Sequence, residues 1–224
     1  MKAIVLFGSP GSGKGTQAKL LNQCMGVPHI STGDMLRDRI RQGVEAGTAV
    51  AATMQSGMLV SDEVVNRMVE ERLSEADAAE GFVLDGYPRT LAQADHLCHW
   101  LDGRGIRELV IYLAVDYNIV IARLTGRRQC PRCGTLYNLA THPPRVDEVC
   151  DLDGEKLVIR DDDTAEVIRE RLDAYERQTR PVLAYFASAG RRVIEVDASN
   201  DPPETVYQKI CQSMECNDRS KNRC

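Results

Sequence analysis

No apolar stretch in this chain of 224 residues approaches the ~20 that a membrane span needs, which excludes a transmembrane anchor. The apolar opening, Ala3-Ile4-Val5-Leu6-Phe7, is too short for a secretory signal and runs too directly into a glycine-rich segment, so the expected address is the cytoplasm. Positive charge is not in excess either. With 28 Lys and Arg against 33 Asp and Glu, and a pI near 5.5, the chain is not built to bind nucleic acid or an anionic membrane wholesale. Any basic chemistry must be local. Only four histidines occur, His29, His96, His99 and His142, and no Ser/His/Asp or paired-carboxylate logic joins them, so they read as structural or surface residues. There is no internal repeat. A disulfide framework is missing as well: of eight cysteines, Cys130, Cys133 and Cys150 form a spaced pattern, while Cys24, Cys98, Cys211, Cys216 and Cys224 are scattered. Reduced thiols plus a metal site is the better reading. At 43% hydrophobic and 27% charged, the chain can bury a full core without such support.

What is present begins at Gly8-Ser9-Pro10-Gly11-Ser12-Gly13-Lys14-Gly15-Thr16, directly after the apolar strand. Glycines let successive N–H groups converge on phosphate oxygens, the following helix offers its positive end, and Lys14 adds a mobile charge. The strict pattern asks for Ser or Thr after the lysine. Here Gly15 stands there and Thr16 follows, so Thr16 is assigned to the phosphate or magnesium shell and the metal is held mostly by water and phosphate.

Short β-like runs at 2–7, 27–30, 82–85, 108–114 and 192–196 alternate with helical segments, which predicts a parallel α/β sheet with helices on both faces. Ligands bind such sheets at the carboxyl ends of the strands, so Asp85 and the 31–37 segment should sit near the phosphate loop. Residues 44–73 read as a helical insertion interrupted by Gly47 and Gly57. Residues 127–160, rich in Pro, Gly and Cys, read as an insertion without helical periodicity. The tail from Glu215 is expected to fray.

Ile30-Ser31-Thr32-Gly33-Asp34-Met35-Leu36-Arg37 is a strand end feeding a helix that Ser31, Thr32 or Asp34 caps, which leaves Arg37 unexplained. In Gly81-Phe82-Val83-Leu84-Asp85-Gly86-Tyr87-Pro88-Arg89-Thr90, an apolar strand delivers an acidic residue suited to a magnesium shell, then an arginine. Thr90 and Gln93 fit a capping box, so Gln93 reads equally well as a cap or a ligand. Arg37, Arg89, Arg123, Arg127, Arg128, Arg160 and Arg171 are the bidentate forks that clamping several phosphates requires. Transfer to an already anionic phosphate oxygen needs no general base, and catalysis falls to alignment and charge neutralisation.

Cys130-Pro131-Arg132-Cys133 is followed after sixteen residues by Cys150-Asp151-Leu152-Asp153. Cys-x2-Cys with Cys-x2-Asp closes a tetrahedral zinc site, structural because no open position is left, with Asp153 as fourth ligand and His142 as the alternative. A redox Cys-x-x-Cys would open a helix in a βαβ unit, and Gly134 and the paired half-site argue against it.

Together these runs resemble the adenylate kinases, specifically the long-lid, zinc-containing bacterial-type branch, over nearly the whole chain. The resemblance implies a five-stranded P-loop core (1–30, 61–126 and 165–215), an AMP-binding domain (31–60), a lid (127–164) and a disordered tail (216–224). It implies an ATP:AMP phosphotransferase that makes two ADP with Mg2+, a cytoplasmic monomer with structural Zn2+. By resemblance Lys14, Arg89, Arg123, Arg127, Arg160, Arg171 and Asp85 are catalytic. Gly11, Ser12, Gly13, Lys14, Gly15, Thr16, Arg123, Arg127, Tyr137 and Asn200 bind ATP, and Thr32, Arg37, Met58, Leu59, Val60, Gly86, Arg89, Gln93, Arg160 and Arg171 bind AMP. Asp162 and Asp163 look like lid-closure residues. The rivals are a kinase of another nucleoside monophosphate and a non-catalytic zinc-containing nucleotide sensor.

Overall fold

The computed structural model describes residues 2–43 and 45–215. Five strands, β1 (Lys2–Phe7), β2 (His29–Ser31), β3 (Gly81–Asp85), β4 (Glu108–Ala114) and β7 (Arg192–Asp197), form one parallel sheet in the order β2-β3-β1-β4-β7. The period-2 alternation of a strand divides β1 between two cores. Ala3, Val5 and Phe7 face one side with Phe82, Leu84 and Val110. Ile4 and Leu6 face the other with Val83, Ile111 and Leu113. The first side is covered by α4 (Asp62–Leu73), α5 (Leu91–Asp102) and α8 (Pro181–Ser188), the second by α1 (Lys14–Met25) and α9 (Pro203–Glu215). Each such side chain, fully buried, contributes roughly 1.5–3 kcal/mol, and this two-sided burial is why the strands read as unbroken apolar runs.

The strands expected from the sequence are all present, β1 and β4 with the expected bounds and the other three with shifted ends. The second begins at His29 rather than at 27, because Pro28 has no N–H to give the ladder; its carbonyl instead accepts from Val83 N. Residues 44–73 divide into α3 (Glu45–Gln55) and α4. Gly57, with φ of +76°, lies in the break as expected, but Gly47 sits inside α3 and interrupts nothing. After α6 (Tyr117–Thr125), the cysteine-rich segment holds only the antiparallel pair β5 (Arg127–Gln129) and β6 (Leu136–Asn138) and a few isolated bridges. α7 (Ala165–Ala174) follows. The expected frayed tail lies outside the described residues, except Glu215, which ends α9.

From β1 the chain crosses to β2 and β3 on one side and later to β4 and β7 on the other, so the strand order reverses at β1. A crevice opens outside the carboxyl ends of the strands at such a switch point, and the glycine-rich loop enters it straight from β1.

Candidate functional site

The loop's glycines bring α1 into the crevice with Gly13 as N-cap and no side-chain cap, leaving the first-turn N–H groups facing the cleft. The Ser12 hydroxyl is buried beneath them without a partner among the described residues. Lys14 folds back so that Nζ donates to the carbonyls of Gly8 and Ser9, both at 2.8 Å. Burial pulls its ammonium down to about 8, against the opposing pull of Asp85 and with repulsion from Arg89, Arg171 and Arg127 adding to the shift.

β3 delivers Asp85 to the same crevice. A Cβ placed on Gly15 would come within 3.3 Å of Asp85 Oδ2, so the departure from the strict phosphate-loop pattern makes room for this carboxylate. His29 Nε2 lies 3.3 Å from the same oxygen. No local pattern marks that contact, which depends on the β2–β3 register pairing His29 with Val83. The donor set suits magnesium: a hard oxygen beside a loop with space for water and phosphate.

Gly86 takes φ of +76°, and its carbonyl gathers two side chains: Thr32 Oγ1 donates to it at 2.7 Å and Arg89 Nε at 2.8 Å. Arg89 is half-buried in the cleft floor; desolvation there and repulsion from Arg171 hold it down to about 10, with Asp85 opposing. Its two terminal nitrogens make no hydrogen bond or ion pair among the described residues. Of the expected capping box, the Thr90 half forms, its hydroxyl accepting from Gln93 N at 3.1 Å. The Gln93 half does not: Oε1 accepts from Arg89 N at 2.7 Å instead, and Nε2 donates to Asp62 at 2.7 Å.

The other arginines are held by oxygens. Arg127 and Arg171 grip the buried carboxylate of Asp163, and Arg171 also donates to the Asp162 carbonyl at 2.7 Å. Burial opposes charge on Asp162, but Arg171, Arg37, Arg127 and Arg160 outweigh it and hold the carboxyl below its usual value. Arg160 donates to Gln129 Oε1 at 2.6 Å, and burial, with Arg37 and Arg127, pulls it down to about 10. Arg37 pairs with Asp34 at 2.6 Å. The cap of α2 (Thr32–Arg41) is therefore Ser31, whose Oγ accepts from Asp34 N. Arg123 donates to the carbonyls of Ala198 and Ser199 at 2.8 and 3.0 Å, fixing the turn that carries Asn200.

Apart from Arg128, the nucleotide-site residues named from the sequence line one cleft of about 1120 Å³, including Met58, Leu59 and Val60. Arg128 does not; it donates to the carbonyls of Thr125 and Arg127. Tyr137 touches the cleft, but its hydroxyl is turned away, accepting from Asp151 N at 2.8 Å.

That hydroxyl borders a second cluster. Donor atoms of Cys130, Cys133, Cys150 and Asp153 all lie within 4.8 Å of one another. A tetrahedron with ~2.3 Å zinc–sulfur bonds has edges of roughly 3.8 Å. Here the Cys133 and Cys150 sulfurs are 3.6 Å apart, and Cys130 Sγ is 3.3 Å from Asp153 Oδ2. Two matching turns build it: Gly134 N donates to Cys130 O and Gly154 N to Cys150 O, with φ of +72° and +71° that glycine alone adopts cheaply. His142 is outside the cluster, stacked on Tyr137 with ring centroids 6.0 Å apart.

The sequence matches the family model described as adenylate kinase across residues 6–191. Curated relatives named adenylate kinase include one from Pseudothermotoga lettingae, 48% identical over 91% of this chain and 94% of the relative. Others come from Thermoanaerobacter pseudethanolicus, 42% identical over 97% and 99%, and Syntrophotalea carbinolica, 45% over 95% and 98%. With a parallel sheet, a phosphate loop and one arginine-lined cleft already in place, the matches complete the assignment: the chain belongs to the adenylate kinase family.

Proposed function

We propose that Lys14, Arg89 and the arginines around them hold ATP and AMP end to end in the cleft. The activity, phosphoryl transfer from ATP to AMP, is that of the family. The observation that carries the residue roles is that Lys14 and Arg89 stand in the cleft floor with no ion-pairing carboxylate among the described residues. Buried cations without counter-ions are costly unless a ligand supplies the charge, and phosphate does so. An oxygen of the AMP phosphate attacks the γ-phosphorus, the bond to the β-phosphate bridging oxygen breaks, and ADP leaves with that electron pair. The acceptor oxygen is already ionised, so no side chain need take a proton; the guanidinium groups neutralise charge on the equatorial oxygens. Asp85 would hold magnesium through water, and the ion supplies charge neutralisation on the donor phosphates when bound. Arg123 and the Asn200 turn flank the donor adenine, while Thr32, Gln93 and the backbone of Met58 to Val60 frame AMP. Residues 31–60 and 127–164 act as moving AMP-binding and lid domains on the core, with Asp162 and Asp163 as lid-closure residues that engage Arg171 of α7 and Arg127, and water kept from the transferring group.

Zinc completes the lid: Cys130, Cys133, Cys150 and Asp153 would fill its shell, leaving no open position for chemistry. No described helix is long and apolar enough to cross a membrane. A cytoplasmic monomer completes this reading.

A coupled assay with each triphosphate and monophosphate pair tests the reading and settles whether GTP replaces ATP. AMP should exceed CMP, UMP and GMP by about a hundredfold or more in kcat/KM, because a pocket built to hydrogen-bond one base leaves polar groups unpaired with another. Equal use of CMP would overturn the adenine assignments. Gln93→Ala should raise KM for AMP and cost about 1 kcal/mol of stability, since its amide bonds both Asp62 and Arg89 N.

A second expectation concerns protons. With Lys14 near 8 in the free protein, bound phosphates should return it to full protonation. ATP binding at pH 8 should therefore take up about half a proton, read as a dependence of calorimetric enthalpy on buffer ionisation heat, and Lys14→Met should abolish that part. Identical uptake in the variant would remove Lys14 from the phosphate site.

A further inference from the structure

Cys24 and Cys211 are far apart in sequence and belong to neither site, yet the fold brings them together. Gln17 Nε2 donates to the Pro203 carbonyl at 2.9 Å, which clamps the start of α1 to the start of α9. From that clamp Cys24 lies seven residues along α1 and Cys211 eight along α9, or ~10.5 and ~12 Å at the helical rise. The helices run side by side in one direction with Ala18, Leu21, Val206 and Ile210 packed in a shared core, and their Cα atoms approach within 8 Å. Both thiols therefore reach the same level, close enough to the Tyr207 hydroxyl that both raise its pKa. Cys24 is exposed and Cys211 half-buried. Among the described residues, Cys98 is buried at the other face of the sheet and the remaining thiols belong to the lid cluster.

We propose that Cys24 and Cys211 are a dithiol site which a small disulfide oxidises to an intramolecular disulfide tying α1 to α9. The thiolate of exposed Cys24 attacks one sulfur of oxidised glutathione and expels one glutathione thiolate. The thiolate of Cys211 then attacks the Cys24 sulfur of this mixed disulfide and expels the second. The protein loses two protons and two electrons, and the glutathione disulfide is reduced to two thiols. The Tyr207 phenol, which the neighbouring thiols and burial keep in its protonated form, swings aside by side-chain rotation as the sulfurs meet. Lys14 lies ~15 Å along α1 from Cys24, so the link should leave the catalytic end of the helix undisturbed.

The test uses the full, zinc-loaded, reduced chain treated with oxidised glutathione, followed by peptide mapping and thermal melting. The expected result is one peptide pair joined through Cys24 and Cys211, a melting midpoint raised by several degrees through closure of a long loop, and reversal by a dithiol reductant. Cys24→Ser and Cys211→Ser should each keep wild-type turnover when reduced and should neither form the link nor show the rise. A stable glutathione adduct left on Cys24, a link from Cys24 to Cys216, Cys224 or a lid cysteine, or no reaction would overturn the proposal.

Discussion

Arg89→Ala is expected to lower kcat/KM for AMP by about a thousandfold while leaving the protein folded. A preorganised donor aimed at developing charge in a water-poor cleft is worth roughly 3–4 kcal/mol in the transition state. Arg89 fits that description: its Nε is fixed on the Gly86 carbonyl, and burial has already lowered its affinity for its own proton to about 10. The same burial predicts the stability outcome. A half-buried cation with no carboxylate partner weakens the empty fold, so the melting midpoint of Arg89→Ala should equal or exceed that of the parent. Arg89→Lys should recover part of the loss, since it restores charge without the planar fork. Near-normal turnover in a folded Arg89→Ala protein would remove the residue from the phosphate clamp.

Loss of the lid metal should act through folding. The buried cluster of this segment is Cys130, Tyr137, Cys150 and Leu157, and two of these four belong to the proposed metal site. A core that small cannot offset the ordering of its loops, whereas a structural zinc site contributes on the order of 10 kcal/mol. Elemental analysis should find one zinc per chain. Chelation or Cys133→Ser should abolish hydrogen-exchange protection in residues 127–160, lower the melting midpoint and reduce turnover only as the lid loosens. Because bound thiolates must be deprotonated, acid should release the metal, and lid stability should fall with pH. Asp153→Cys should keep or tighten the metal by adding a fourth thiolate. Less than about half an equivalent of zinc in reduced protein would count against the site.

Both outcomes rest on features that differ in how far the sequence displays them. The phosphate loop, the Cys-x2-Cys with its Cys-x2-Asp partner, and the apolar strands are local patterns, in which spacing and residue type alone dictate what the backbone can do. Thr90 was legible as a cap for the same reason, since it reaches only to Gln93 N. Gln93 itself was not: its amide bridges Arg89 N and Asp62, and Asp62 stands on another helix.

The chain order therefore determined that this protein has a glycine-rich strand-loop-helix, a cluster of three thiols and a carboxylate suited to a metal, and an acidic composition carrying locally gathered arginines. Local hydrogen-bond and hydrophobic periodicities act over a few residues and survive in the linear text. Only the tertiary structure decided which arginines are spent on carboxylates. Arg127 and Arg171 meet at Asp163, Arg37 pairs with Asp34, Arg128 turns away, and Arg89 keeps its fork open. It also set His29 against Asp85 and packed α1, which carries Cys24, alongside α9, which carries Cys211. Charge pairing is decided by distance in space, and the strand order that sets those distances comes from burying both faces of one sheet, a property of the whole chain rather than of any segment.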